Sequence, residues 1–150
     1  MVATIRPDSW NFPLLLHVLG AMVMVGALIL AASALIFAWR DGNPGLVRLG
    51  FRTLLYGALP AFIVMRVGAE WIASKEDLTD SNASWISLGF SISDGGLVFI
   101  LVSLLLAGLA VRRMNRGGVA GPMARAAAGL ASILVVAFLV AVWAMTTKPA

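Results

Sequence analysis

The run from Asn11 to Trp39, NFPLLLHVLGAMVMVGALILAASALIFAW, contains no Asp, Glu, Lys or Arg and carries the one histidine of the chain, His17. About 20 residues of α-helix cross the ~30 Å hydrocarbon core of a bilayer, so this run is long enough to span it. In lipid every backbone N–H and C=O must be satisfied within the structure, which leaves a helix as the form this run can take. The remaining segments have to pack around an inserted helix.

They are suited to it. Hydrophobic residues make up 61% of the 150 and charged residues 12%, where soluble domains carry about 25% charged residues. The length admits four spans with short links and no separate soluble domain, so a single transmembrane domain over 1–150 is expected. The absence of cysteine excludes disulfides, thiolate metal sites, iron–sulfur ligation and cysteine nucleophiles. The net charge of +4 comes from arginines clustered beside spans, a pattern that fits anionic headgroups and the positive-inside rule and argues against nucleic acid as a partner. MVATIRPDSW lacks a basic start leading to a short apolar core and a small-residue cleavage site, so the first span is expected to be retained.

The hydropathy pattern places spans at about 12–38, 53–73, 95–111 and 126–146. Between the first two, Asp41-Gly42-Asn43-Pro44-Gly45 is a dense turn signal and residues 40–52 are expected to form a tight loop. Pro60 is expected to kink the second span, because proline lacks the N–H that a helix uses and crowds the preceding turn. SKEDLTDSNASW must lie in water, and WISLGF (Trp85–Phe90) is expected to be an interfacial or re-entrant piece ahead of a third span that begins at about 95, or a little earlier if Asp94 caps it. The 40–52 loop has three arginines and one acid and the 112–125 loop four arginines and no acid, whereas 74–94 has one lysine against four acids. The basic loops should therefore face the cytoplasm, giving an all-α, integral membrane four-helix up-down bundle with both termini on the outer side of the cell inner (cytoplasmic) membrane. Small residues spaced by four, Ala27 and Ala31, Ser103 and Ala107, Ala124, Ala128 and Ser132, are candidate helix contacts. Trp10, Trp39, Trp71, Trp85 and Trp143 fall near span ends and suit the headgroup boundary.

Ionisable groups within a bilayer mark functional sites by default, because they are costly to keep there. His17 lies about 8 Å below the outer start of span one and Arg66 about 10 Å below the outer end of span two, with Glu70 one turn along on the face of Arg66. Asp94 and Lys148 end their spans near the same level. Two physical readings follow. In one, Arg66 pairs with Glu70, His17 bonds to a neighbouring helix, and the set only fixes helix register. In the other it forms an outward pocket in which imidazole holds haem iron, with Arg66 or Lys148 on the propionates. A metal such as copper is the variant of that reading, with His17 and the Met24 thioether as donors.

At LLLHVLGAMVMVGALI, at Glu70-Trp71, at WISLGF and at the closing VWAMTTKP, the chain resembles a family of uncharacterised four-helix bacterial integral membrane proteins. That family is itself similar to the membrane domain of copper-resistance D-type proteins. The first-span histidine followed by glycines also resembles the protoporphyrinogen oxidase membrane family, which pairs such a histidine with haem. The resemblance implies the fold and puts His17, Gly20, Gly26, Lys148 and Pro149 at motif positions. Met24 stands where the copper-resistance pattern has tryptophan before a glycine pair, of which Gly26 remains.

The expectation for function is thus a small polytopic membrane protein with an outward polar pocket of His17, Met24, Arg66, Glu70, Asp94 and Lys148, holding haem b or copper. The alternative is a non-catalytic accessory or assembly subunit, as a homo-oligomer or with other membrane subunits. A small proton-coupled transporter using Glu70 or Asp94 is the third. No catalytic constellation is legible, so enzymatic activity is not expected.

Overall fold

A computed structural model describes residues 11–75, 84–119 and 121–147. Four helices make up the fold: α1 (Asn11–Asp41), α2 (Pro44–Lys75), α3 (Ser84–Asn115) and α4 (Gly121–Thr147). All four contain a stretch long and apolar enough to cross a membrane, and the described residues contain no strand. This is a multi-pass membrane protein with a four-helix bundle.

Local chemistry explains the connections. α1 ends at Asp41, and Gly42 takes φ 65°, a left-handed conformation that glycine adopts without a Cβ clash. Asn43 then caps α2, its Oδ1 accepting the Gly45 N–H at 2.8 Å, with Pro44 at the first helical position. The expected 40–52 loop is therefore only Gly42-Asn43. The turn signal was real, but cap and proline restart a helix immediately, and the arginines that followed it lie on α2. At the other basic turn α3 closes with the Gly117 N–H on the Met114 carbonyl at 3.0 Å and the Gly118 N–H on the Arg113 carbonyl at 3.0 Å, with Gly117 at φ 78°. This is the double hydrogen bond of a glycine-terminated helix.

Pro60 perturbs the hydrogen-bond ladder of α2 in the turn before it. Its missing N–H leaves the Tyr56 carbonyl without its usual partner, and the preceding turn, Leu54–Ala58, widens into a π-helical segment in which the Leu59 N–H reaches back to the Leu54 carbonyl. The wide turn keeps Leu54 and Ala58 buried. The second correction concerns Trp85–Phe90, which is neither interfacial nor re-entrant but belongs to the continuous helix Ser84–Asn115. Asp94-Gly95-Gly96 lies inside it, and Asp94 caps nothing. A glycine pair that would break a helix in water is tolerated here, because within a bilayer the competing hydrogen-bond partner, water, is scarce.

In cross-section the order is α2, α1, α4, α3, with α3 closing back on the N-terminal half of α2. The core is built from Met24, Leu28, Leu35, Leu54, Ile100, Leu134 and Phe138, supported by the small residues Ala31, Ala58, Ala107, Ala124 and Ala128. Ala31, Ala107, Ala124 and Ala128 are among the positions that spacing marked as contacts. Facing outward are large apolar side chains such as Leu15, Leu19, Met22, Leu105, Ile133 and Val136, as lipid contact requires. Toward its C-terminal end α2 stays with α1 and parts from α3. The Phe62 and Phe138 rings, 6.5 Å apart edge to face, pack across the bundle there.

Candidate functional site

The α1–α2 pair positions the site. Its contacts Leu35–Gly50, Ala27–Gly57, Gly20–Met65 and His17–Gly68 step in opposite directions by nearly equal amounts, so the helices run antiparallel in one register. At the last two the backbones touch. A Cβ on Gly20 would lie 2.6 Å from the Met65 nitrogen, and one on Gly68 would lie 2.6 Å from the His17 nitrogen. Small residues at such crossings let helices approach closely in lipid.

That approach brings the imidazole within reach of a main-chain carbonyl. His17 Nδ1 lies 3.1 Å from the Met65 oxygen. A carbonyl only accepts, so Nδ1 carries a proton in this bond, and in the neutral ring the lone pair is on Nε2. The Met65 carbonyl is also the acceptor that the α2 ladder uses, so the imidazole adds a second donor to one oxygen without breaking the helix. His17 is half-buried at this point.

One residue on, Arg66 turns toward α3. Its Nε donates to Glu70 Oε1 at 2.8 Å and its Nη2 to Asp94 Oδ1 at 2.9 Å. The first is the i, i+4 pair expected from spacing. The second crosses the gap where α2 parts from α3, tying the two helices at the level where their packing is thinnest. Arg66 is 24% exposed, while Glu70 and Asp94 are 60% and 67% exposed. The guanidinium is thus the inner member and both carboxylates form the outer rim. Two acids on one base give the triad a net negative charge.

The structure therefore brings Arg66, Glu70 and Asp94 into one cluster and sets His17 at the same level against Met65. Met24 is fully buried in the core, two helical turns along α1 from His17. Lys148 lies outside the described residues. Among the described residues no three His, Asp or Glu side chains gather as a metal-binding set. At the lip of the site Phe12 and Trp71 meet edge to face, 6.0 Å apart, closing the start of α1 against the end of α2. Sequence reading missed Met65 because its contribution is a carbonyl, and missed Gly68 as the partner of His17. A signal was present in both glycines, one on each antiparallel span at matching depth.

At the opposite end a recess opens between the end of α1 and the start of α4, lined by Trp39, Gly121, Pro122, Arg125 and Ala126. The Arg125 guanidinium lies over the Trp39 ring, 5.0 Å from its centre. No protein family, curated protein or solved structure matches the chain, so what it does has to be read from these two ends.

Proposed function

We propose that this membrane protein binds haem through His17, in the cytoplasmic membrane with the arginine-rich end inside. The observation that carries the reading is the bond from His17 Nδ1 to the Met65 carbonyl. It holds the ring in one tautomer and leaves Nε2 as the donor, the orientation that a ligating histidine takes when its other nitrogen is hydrogen-bonded to a carbonyl.

Donor count favours haem over copper. Among the described residues no three His, Asp or Glu side chains gather as a metal-binding set, so a copper site would rest on His17 and the Met24 thioether. Met24 is displaced from His17 by about 10 Å along the same helix, more than two metal–ligand bonds of ~2 Å can bridge. Haem iron already has four porphyrin nitrogens and takes one or two axial donors from protein. One histidine, His17, would meet that need. Arg66 is committed to Glu70 and Asp94, so in this reading the triad holds α2 to α3 and would not pair with propionates.

The same bond favours one competing reading, an accessory subunit in which His17 only locks α1 to α2. Two substitutions separate them. Gln at position 17 can still donate to the Met65 carbonyl but does not ligate iron, whereas Ala loses both. In the haem reading, full-length protein from haem-supplied cells shows a Soret band that both His17→Gln and His17→Ala abolish. A colourless wild-type protein overturns it and leaves the accessory reading, in which His17→Gln matches the wild type in stability.

A further inference from the structure

We infer that the recess between the end of α1 and the start of α4 seats the phosphate of an anionic phospholipid, an assignment independent of His17 and at the other end of the bundle. Its position comes first. Trp39 closes the uncharged run that began at Asn11, and Arg40 and Asp41 follow it, so the recess lies where hydrocarbon gives way to headgroups. Gly121 and Pro122 of α4 stand at the same level, with a Cβ on Gly121 coming within 3.9 Å of the Trp39 ring.

Chemistry comes second. The Arg125 guanidinium carbon lies over the Trp39 indole, 5.0 Å from the ring centre, a cation–π contact that holds the guanidinium at the recess. A guanidinium can donate to two oxygens of one phosphate. Among the described residues Arg125 has no carboxylate partner, in contrast to Arg66, and Arg48 at the same end is engaged with Asn115 Oδ1 at 2.9 Å. The surrounding charge is predominantly positive: Arg40, Arg48, Arg52, Arg112, Arg113, Arg116 and Arg125 against Asp41. Charge complementarity selects an anionic ligand, and the walls select a lipid. Ala126 completes the recess, and one turn deeper on α4 Gly129 is exposed with open space where a side chain would stand, room for an acyl chain beside the helix.

The test uses the full chain in mild detergent, with bound lipid counted by native mass spectrometry. Phosphatidylglycerol is compared with phosphatidylcholine of the same chains, and inorganic phosphate is the soluble competitor. Phosphatidylglycerol should be retained at one per chain in preference to phosphatidylcholine. Arg125→Gln should weaken it about fivefold to tenfold, while Arg116→Gln, removing an exposed arginine outside the recess, should change it less than about twofold. Ala126→Leu, which fills the recess and keeps every charge, should also weaken it, so the conclusion does not depend on one variant folding. Equal retention of the two lipids, equal effects of Arg125→Gln and Arg116→Gln, an inert Ala126→Leu, or displacement by phosphate at lipid-like concentrations would each overturn the assignment, the last by showing a site for a free anion.

Discussion

Two antiparallel helix pairs, α1–α2 and α3–α4, solve the same problem in different ways. Neither can rely on the hydrophobic effect, since lipid tails are as apolar as the side chains they replace, so each must gain from close packing. In α1–α2 backbone meets backbone, Gly20 against Met65 and Gly68 against His17, and a polar bond crosses the seam. In α3–α4 side chains do the filling: Ala107, Ala110, Ala127 and Ala131 are buried, and the Phe138 ring covers Gly96 with its Cζ 2.7 Å from where a Cβ would stand. The first seam is rigid because main chains have nowhere to go. The second is adaptable because a ring can turn. A short imidazole reaches a carbonyl only across the rigid seam, which is why the polar level sits there.

The comparison is most exposed to a single methyl group. Gly68→Ala puts a Cβ against the backbone nitrogen of His17 and should cost about 2–3 kcal/mol, the upper range for overpacking, read as a lowered midpoint in detergent unfolding. Gly20→Ala should act alike, against Met65. Arg66→Gln comes next. It removes both bonds to the rim carboxylates, but those are largely exposed, so the loss should be about 1 kcal/mol, and a spin-label distance between α2 and α3 near Arg66 and Asp94 should broaden. Gly96→Ala meets only the far edge of Phe138 and should cost less than about 1 kcal/mol, because the ring can rotate away. Equal costs for Gly68→Ala and Gly96→Ala would erase the distinction between rigid and adaptable seams.

Much of this was legible from residues alone, and the reasons for the rest are physical. Four spans follow from runs without charge, and Arg66–Glu70 follows from i, i+4 spacing. The Arg66–Asp94 pair does not, since it depends on how α2 and α3 are rotated, and neither Leu59–Lys75 of α2 nor α3 has a strongly one-sided pattern to set that rotation in lipid. Trp85–Phe90 was misjudged because Asp94-Gly95-Gly96 reads as a break, whereas the helix runs through it from Ser84 to Asn115. The π turn at Leu54–Ala58 leaves no mark besides Pro60, because a proline can bend a helix or widen it and the choice lies with its neighbours. The Trp39–Arg125 stack joins residues far apart in sequence, each of which reads alone as an ordinary interface residue.

The smallest effect concerns the adaptable seam itself. Ser103 on α3 is fully buried, and its hydroxyl has no hydrogen-bond partner among the described residues. A buried hydroxyl without a partner destabilises by its lost solvation, and in lipid that loss is shared by the separated helix, which lowers the net cost. Ser103→Ala keeps the small volume that lets α3 sit close and removes only the oxygen. It should therefore leave stability unchanged or raise it by up to about 1 kcal/mol. A loss of more than about 1 kcal/mol in detergent unfolding would mean that the hydroxyl finds a partner in the membrane, and the α3–α4 seam would then carry a polar bond of its own, as α1–α2 does.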